Sequence, residues 1–293
     1  MTPPGLLRPF DAARAWDAAA RVPWRLMHAG TAVEVGSVAR RDLDALLALA
    51  PELAQPDGGL LLDLPDAAAR SARLEQINAG LRAAGLIRAW RNETYAVVTA
   101  LGAAPLACIE RACSRFWGTL TFGAHCNGYR RGPDGRPSHL WIARRSPHKP
   151  TDPGMLDNLV GGGVPHGQSP FETLVREGWE EAGLSPAQMR AATPGRIYRL
   201  VRDIPEGLQV EDLHVHDLEL VPGLEPRNQD GEVAEFRCLP LAEVLAQLAA
   251  GALTVDAALA TLDFLLRHQL LPQPAQAELA ARAQALHADR SAG

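Results

Sequence analysis

The segment GGVPHGQSPFETLVREGWEEAGL, at residues 162–184, constrains the fold of this chain most, because it predicts a short helix with defined ends. Ser169 and Glu172 have the spacing of a capping box, and Pro170 falls at the first helical position, where its missing N–H costs nothing. Gly183 stands where a left-handed residue would end a helix. The segment therefore predicts a helix that begins at Pro170 and stops just before Gly183.

Three glutamates gather on one side of this predicted helix. At about 100° per residue, Glu177, Glu180 and Glu181 form an exposed acidic strip beside an apolar stripe, within which Gly178 would let the helix approach a sheet closely. These like charges repel one another, and Arg176 offsets only part of the repulsion. Oxygen ligands without His or Cys suit Mg²⁺ or Mn²⁺. The alternative is a solvated acidic face, but the glycine-rich turn ahead of the helix favours a metal site.

The same segment resembles the Nudix box, in which a glycine is followed at fixed spacing by R-E-U-x-E-E-x-G-U, where U is a bulky aliphatic residue. The matching residues are Gly162, Arg176, Glu177, Glu180, Glu181, Gly183 and Leu184. Gln168 replaces the first glutamate of the pattern, and Gly178 replaces an aliphatic residue. The resemblance implies an α+β Nudix fold, a mixed sheet sandwiched between helices, with glutamates that hold Mg²⁺ or Mn²⁺ while water attacks a phosphorus.

Longer segments are similar to one Nudix subgroup, which has an extra N-terminal domain and includes plant plastid proteins and the Nudix half of a fungal thiamine pyrophosphokinase. The similar segments are FWGTLTFGAHCNGY, PGMLDNLVGGGVPHG, PRNQDGEVAEFRCLPL and FLLRHQL. This likeness implies hydrolysis of thiamine diphosphate derivatives, especially oxidised or damaged forms, to monophosphates. The alternatives are a Nudix hydrolase of ADP-ribose or an oxidised nucleotide and, on the same fold, an isoprenoid diphosphate isomerase or a non-catalytic diphosphate sensor.

The resemblance implies a small-molecule diphosphate as the partner, and composition argues against two other classes of partner. The net charge of −5 and the absence of a basic block argue against nucleic acid. The N-terminus has no secretory pattern and no segment reaches the ~18 apolar residues of a membrane span, so we expect a cytoplasmic protein without a membrane partner. The four cysteines lack a C-x-x-C spacing, which argues against zinc. Lys149, the only lysine, has no predicted role.

Residues 1–112 predict a smaller α/β domain, and residues 113–293 predict the Nudix domain. The predicted elements of the first domain are helices at 8–20, 41–50, 67–84 and around 104–115, extended segments at 22–27, 31–39 and 94–100, and a loop at 56–59. Its tryptophans, Trp16, Trp24 and Trp90, are expected to pack in the protein. Since no ligand-type cluster occurs there, this domain is expected to carry no catalytic group but to restrict which substrates enter.

The second domain alternates strands and helices. Strands are predicted at 118–129, 139–145, 157–163, 196–204, 208–220 and 233–241, and helices at 241–251, 255–269 and 275–290 besides the box helix. The last helix either covers the domain or pairs with a second subunit in a homodimer.

The resemblance also implies candidate site residues. Glu177, Glu180 and Glu181 would hold the metal with a carbonyl of the Gly161–Gly163 turn, and Arg176 belongs to the catalytic group. A box glutamate or a distant acid takes the proton from water; the distant candidate is Glu232, with Asp230 and Glu235 as rivals.

Substrate contacts are expected from polar and aromatic residues of the subgroup-like segments. The candidates are His125, Asn127, Trp117, Arg144 and His166, with Arg145 as an alternative to Arg144 and with Phe122 and Tyr129 as further ring walls.

Overall fold

The computed structural model describes residues 2–55 and 58–288. Its strands are β1 (Arg21–His28), β2 (Thr31–Ala39), β3 (Leu60–Leu62), β4 (Thr94–Val97), β5 (Ala107–Glu110), β6 (Leu120–Arg131), β7 (Pro137–Arg145), β8 (Leu156–Asp157), β9 (Val160–Gly163), β10 (Thr193–Ile204), β11 (Gly207–Glu219) and β12 (Val233–Pro240). Its α-helices are α1 (Arg8–Ala12), α2 (Leu43–Leu49), α3 (Ala67–Ala83), α4 (Cys113–Trp117), α5 (Pro170–Ala182), α6 (Pro186–Met189), α7 (Leu241–Ala250), α8 (Val255–Arg267) and α9 (Gln273–Ala285).

The second domain contains a mixed sheet. Its strands follow the order β10-β11-β6-β7-β12, while β9 pairs with β6 and β8 pairs with β7. The β11–β6 pair is parallel, and the other pairs are antiparallel. The β10–β11 hairpin confirms the one predicted from the sequence.

Helices cover both faces of this sheet, which confirms the predicted α+β sandwich. Because successive side chains of a strand point to opposite faces, β6 contributes to two cores. Ala124 and Cys126 pack with Leu174 of α5 on one face. Tyr129 packs with Phe264 of α8 on the other, with ring centroids 5.3 Å apart. The box helix is thereby fixed on one side of the sheet.

The N-terminal domain is built on a small sheet in the order β2-β1-β3, with a separate β4–β5 hairpin. Helix α3 buries Leu74, Ile77 and Leu81 in the core of this domain. Trp24 is fully buried and confirms the predicted packing, whereas Trp16 is 44% exposed because it lies in the irregular segment after α1.

Two segments pack across the predicted boundary at residue 112. Leu6 and Phe10, near the N-terminus, belong to the core around α8, and the N–H of Val201 in β10 donates to the carbonyl of Ala13 at 2.8 Å. Conversely, Trp117 of α4 lies in the core of the N-terminal domain, with its ring centroid 4.4 Å from that of Trp24. The two domains therefore share core residues.

Two predicted N-terminal helices differ in the structure. The segment predicted as a helix around residues 104–115 contains β5, because Ala107 to Glu110 pair with β4, and α4 follows only from Cys113. The helix predicted over residues 8–20 stops at Ala12 and gives way to irregular backbone.

Helix α9 covers the second domain, since Leu279 and Ala283 are buried in the core around α8. Parts of two predicted elements, residues 56–57 and 289–290, lie outside the described residues. No helix within residues 2–55 and 58–288 is long and apolar enough to cross a bilayer.

Candidate active site

The box helix α5 has the ends that its sequence predicts. The Ser169 hydroxyl accepts from the N–H of Glu172 at 3.2 Å, and the Glu172 carboxylate accepts from the N–H of Ser169 at 2.8 Å. Gly183 ends the helix at φ 66°. Gly178 has a different neighbour from the one predicted: a Cβ there would lie 2.5 Å from the sulfur of Met189, so Gly178 allows α6 rather than the sheet to approach.

The acidic strip is not a uniformly exposed surface, which corrects the expectation from the sequence. The Glu181 side chain is 6% exposed and that of Glu177 is 14% exposed, whereas that of Glu180 is 40% exposed. The strip faces the glycine strand β9 and the loop that carries Lys149, which helical periodicity alone does not reveal.

Arg176 holds two of the three glutamates. Its Nη2 donates to Glu177 Oε1 at 2.8 Å and its Nη1 to Glu180 Oε2 at 2.7 Å. Gln168, where the Nudix box has a glutamate, accepts at Oε1 from the Thr173 hydroxyl at 3.1 Å. Gln168 therefore stabilises the first turn of α5 through a hydrogen bond of its uncharged side chain.

Glu181 is linked to the distant candidate Glu232 through Lys149. Lys149 Nζ lies 3.2 Å from Glu181 Oε1 and also contacts Glu232 Oε2. The second oxygen of Glu181 accepts from the N–H of Gly161 at 3.0 Å. One ammonium group thus joins a carboxylate of the box helix to a carboxylate in the loop just before β12.

The protonation of these acids reflects burial and nearby cations. Burial raises the pKa of Glu181 to about 7, although the nearby positive charge of Lys149 acts to lower it. Burial also raises the pKa of Glu177, while Arg176 opposes the rise. For Glu232, the hydrogen bond and charge of Lys149 outweigh burial and lower the pKa. Glu181 and Glu232 therefore differ in proton affinity although they share one ammonium group.

Three consecutive glycines of β9 contact three different parts of the molecule. A Cβ at Gly161 would lie 2.8 Å from the His125 ring, one at Gly162 would lie 2.6 Å from Glu177 Oε1, and one at Gly163 would lie 2.0 Å from the Tyr95 hydroxyl. Gly161 and Gly162 pair with His125 and Ala124, which confirms the strand predicted over these residues. The absent side chains let β6, α5 and the N-terminal domain meet at one strand.

The donor chemistry of the box fits a hard cation. Glu177, Glu180 and Glu181 offer only carboxylate oxygens, and burial of Glu177 and Glu181 favours a neutralising partner. Within residues 2–55 and 58–288, no three His, Cys, Asp or Glu side chains form a group arranged to hold a metal. Here the carboxylates are instead bound by Arg176 and Lys149, so those contacts must rearrange for an ion to bind.

Trp117 and Asn127 are not available to a substrate, contrary to the expectation. Trp117 is fully buried, and its indole N–H donates to Asn78 at 2.7 Å. Asn127 is 2% exposed, and its amide group donates to Asp217 at 3.1 Å and to the carbonyl of Ala260 at 3.0 Å. Both side chains are therefore structural.

His125 and the two further aromatic candidates are also buried. His125 is 8% exposed, covered by β9, and its Nδ1 lies 2.8 Å from Asn158 Oδ1. Phe122 and Tyr129 are each 8% exposed and belong to the cores on opposite faces of the sheet. The ring walls expected on β6 are thus core residues.

Of the two neighbouring arginines on β7, the structure brings Arg145 into the cleft. Arg145 Nη1 donates to Asp157 at 2.7 Å, and both residues line a small cleft with Lys149, Glu181 and Glu232. Arg144, the residue expected to bind substrate, points to the opposite face of the strand. There it donates to the Glu235 carboxylate and the Gly154 carbonyl, each at 2.9 Å.

The remaining candidates, two acids and one histidine, lie outside the cleft. Glu235 is paired with Arg144, and Asp230 accepts from the N–H of Glu232 at 2.8 Å within a turn, so neither rival replaces Glu232 in the cleft. The His166 side chain is exposed, and its backbone N–H donates to the Thr94 carbonyl at 2.9 Å.

Four residues at the site were missed by the sequence reasoning. Lys149 had one available signal, since it is the only lysine of the chain. Arg91, Tyr95 and Arg111 come from the N-terminal domain, which shows no ligand-type cluster in its sequence. Arg91 Nη1 lies 4.0 Å from Glu232 Oε1, and Arg111 Nη2 lies 3.2 Å from the position that a Cβ at Gly163 would occupy.

Comparison with known proteins gives two adjacent domain matches. Residues 127–259 match the family model of the NUDIX domain, and residues 35–121 match that of a domain of unknown function, DUF4743. Over 187 residues the chain is 41% identical to Nudix hydrolase 20, chloroplastic, of Arabidopsis thaliana, covering 63% of this chain and 49% of the relative. Over 221 residues it is 38% identical to Nudix hydrolase 24, chloroplastic, of the same plant, and the match covers 72% of this chain and 57% of the relative.

A yeast protein is also similar to this chain. The chain is 32% identical over 218 residues to the uncharacterized protein YJR142W of Saccharomyces cerevisiae, covering 70% of this chain and 61% of the relative. The chain thus spans 49% to 61% of the length of these relatives. Together with the sandwich fold and the box helix, these matches show that the chain contains a Nudix domain, with a DUF4743 domain ahead of it.

Proposed function

We propose that this cleft hydrolyses the diphosphate bond of a small molecule in a reaction that depends on a divalent metal. The observation that carries the proposal is the contact of Lys149 with both Glu181 and Glu232, beside Glu177 and Glu180 on the box helix. Burying several charges in one cleft costs stability, and such clusters occur preferentially at functional sites.

Glu177, Glu180 and Glu181 are assigned as the metal ligands, with a backbone carbonyl at Gly161 as a further one. Nudix hydrolases generally use divalent metal ions, and the all-oxygen donor set supports Mg²⁺ or Mn²⁺. A bound ion would neutralise phosphate oxygens and lower the pKa of an attacking water.

Glu232 is assigned as the base. Its lowered pKa keeps the carboxylate ionised at neutral pH, so it can accept the proton of the attacking water. The water oxygen forms a bond to phosphorus, the bridging P–O bond breaks, and its electron pair leaves with the departing phosphate. Glu180 and Glu181 are the alternative bases; Arg176 already binds Glu180, and its role is to orient Glu177 and Glu180.

Lys149 is assigned to the phosphate groups of the substrate. Its ammonium group contacts both Glu181 on the box helix and the proposed base Glu232. Arg145, anchored by Asp157, lies in the same cleft. A diphosphate entering this cleft would meet donors already fixed by other contacts, which reduces the cost of ordering them.

For the substrate, we propose thiamine diphosphate derivatives, above all oxidised or damaged forms, with release of the monophosphate. The support is the resemblance of the second domain to the thiamine-linked Nudix subgroup, together with the DUF4743 domain ahead of it. The buried Trp117, Phe122 and Tyr129 leave the identity of the ring walls to other residues, so the resemblance alone carries this step.

A substrate panel tests the proposal. Phosphate and monophosphate release would be measured for thiamine diphosphate, its oxidised analogues, ADP-ribose and oxidised dGTP, each with Mg²⁺ and with Mn²⁺. We expect kcat/KM to be highest for the oxidised analogues, followed by thiamine diphosphate and then ADP-ribose, because a site that hydrogen-bonds a specific polar group discriminates strongly. An advantage of about tenfold or more for a nucleotide would replace the thiamine assignment with a nucleotide one.

Matched variants test the assigned residues. Glu232→Gln is expected to lower kcat roughly a hundredfold, whereas Glu235→Gln, three residues further along the chain but paired with Arg144, leaves kcat nearly unchanged. Lys149→Gln is expected to lower kcat/KM, whereas Arg131→Gln, which removes an arginine paired with Glu219 outside the cleft, does not. Equal effects within either pair would contradict the corresponding assignment.

A further inference from the structure

The β4–β5 hairpin of the N-terminal domain reaches the Nudix cleft. The backbone N–H of His166, in the loop before the box helix, donates to the carbonyl of Thr94 in β4 at 2.9 Å. The hydroxyl of Tyr95 occupies the space above Gly163, where a Cβ would lie only 2.0 Å away. The hairpin is therefore fixed directly beside the glycine strand that faces the metal-binding glutamates.

Two arginines at the edges of this hairpin bring positive charge to the cleft. Arg111 lies 5.6 Å over the Tyr95 ring, and its side chain is 35% exposed. It reaches β9, where its Nη2 lies 3.2 Å from the position that a Cβ at Gly163 would occupy, and the neighbouring Gly162 faces Glu177. Arg91, 33% exposed, approaches Glu232 at 4.0 Å. Arg111 thus lies beside the glycine strand and Arg91 beside a carboxylate of the second domain, and both side chains are partly open to solvent.

The two terminal nitrogens of Arg111 face different groups. Glu93 Oε2 accepts from Arg111 Nη1 at 2.8 Å, whereas Nη2 lies beside the Tyr95 hydroxyl, 3.2 Å from the position that a Cβ at Gly163 would occupy. A planar guanidinium group matches a phosphate with two parallel hydrogen bonds, which an ammonium group such as Lys149 cannot provide.

We propose that Arg111, assisted by Arg91, binds the phosphate groups of the substrate, so that the DUF4743 domain completes the anion site of the Nudix cleft. This inference rests on the proposed diphosphate chemistry but names a new binding site on a domain of unknown function. It also gives the N-terminal domain a direct contact with the ligand, whereas its sequence predicted only a selectivity role.

Binding of methylenediphosphonate, a diphosphate that cannot be hydrolysed, tests the proposal by calorimetry with Mg²⁺ present. Arg111→Gln is expected to weaken binding roughly tenfold to a hundredfold, because hydrogen bonds between charged groups are lost. Arg111→Lys restores part of the affinity, and Arg91→Gln weakens binding by a smaller factor. Thermal unfolding of each variant shows whether the fold is retained; Arg91, at the surface, provides the test if Arg111→Gln does not fold.

Glu93→Gln is the matched control, because it removes the partner of Arg111 and leaves Arg111 in place. It is expected to retain wild-type affinity within about twofold, as is Arg73→Gln, which breaks an ion pair with Glu52 elsewhere in the same domain. If Arg111 served only to hold Glu93, the two variants of that pair would lose affinity equally, and the proposal would be overturned. Wild-type affinity of Arg111→Gln, or no binding of the probe to the wild-type protein, would overturn it as well.

The outcome separates this inference from the proposed function, since no turnover is needed. Variants that lose the probe while no panel compound is hydrolysed would support the anion site and reject the hydrolase. Hydrolysis by the wild-type protein with undiminished probe binding by the arginine variants would reject only the anion site.

Discussion

Replacing Glu181 by Gln is expected to change how the stability of the metal-free protein depends on pH. Burial raises the pKa of Glu181 from 4.5 to about 7 on folding, so the folded protein holds this proton at pH values where the unfolded chain has released it. The unfolding free energy of the wild-type protein therefore falls as pH rises from about 4.5 to 7. Above pH 7 the carboxylate is ionised in the folded protein, and the loss of unfolding free energy is complete.

The size of the effect follows from the same pKa. Each pH unit between the two pKa values corresponds to about 1.4 kcal/mol, so the ionised carboxylate costs about 3 kcal/mol at pH 8. Glutamine carries no charge and does not incur this cost. The glutamine side chain has one acceptor oxygen, so it can accept from Lys149 or from the Gly161 N–H but not from both. The loss of one hydrogen bond lowers the unfolding free energy by about 1 kcal/mol at every pH.

The assay is urea unfolding of both proteins between pH 5 and pH 8 in the presence of a chelator. The stability of Glu181→Gln relative to the wild type is expected to rise by about 2 to 3 kcal/mol across this range, with the variant the more stable protein at pH 8. Glu232→Gln serves as the control: the pKa of Glu232 is lowered on folding, so its replacement removes stability that is fully present above pH 4.5, and the loss is expected to stay constant between pH 5 and pH 8. Parallel stability curves for Glu181→Gln and the wild type would refute the reasoning.

Three further outcomes are expected. Gln168→Glu should change kcat less than about tenfold in the panel assay, because Gln168 contacts Thr173 and Arg176 rather than the proposed metal ligands Glu177, Glu180 and Glu181. Trp117→Ala should lower the unfolding free energy by about 3 to 5 kcal/mol in urea titrations, since it empties a fully buried site between the domains; a normal stability with a raised KM would instead return Trp117 to the substrate cleft. Saturating Mg²⁺ should raise the thermal midpoint of the wild-type protein but not that of Glu181→Gln in calorimetric scans, and equal shifts would remove Glu181 from the metal ligands.

The box helix could be predicted from the sequence because its determinants are local. The capping box of Ser169 and Glu172, the Pro170 start and the Gly183 end all act within one segment, and the structure reproduces the predicted limits. The core strands of the second domain were equally accessible, since their apolar residues recur with the period of a strand.

The burial of Glu181 and the location of Trp117 depend on residues distant in the sequence. Glu181 is covered because β9 and the Lys149 loop contact it, and Trp117 is covered because α4 packs against Trp24 more than ninety positions away. Periodicity assigns each residue to one face of its own element but does not identify the element that covers it. The same limit concealed Arg91 and Arg111, whose contacts with the cleft arise only when the two domains pack together.

The three glycines of β9 give a way to loosen the site one neighbour at a time. A single methyl group at Gly161 would press on His125, at Gly162 on Glu177, and at Gly163 on Tyr95 and Arg111. Three alanine variants, each differing from the parent by one carbon atom, therefore perturb the sheet, the box helix and the DUF4743 domain separately. A larger residue in this short stretch would be tolerated only together with a compensating change in the facing element, so the two domains are coupled through three glycines that have no side chains.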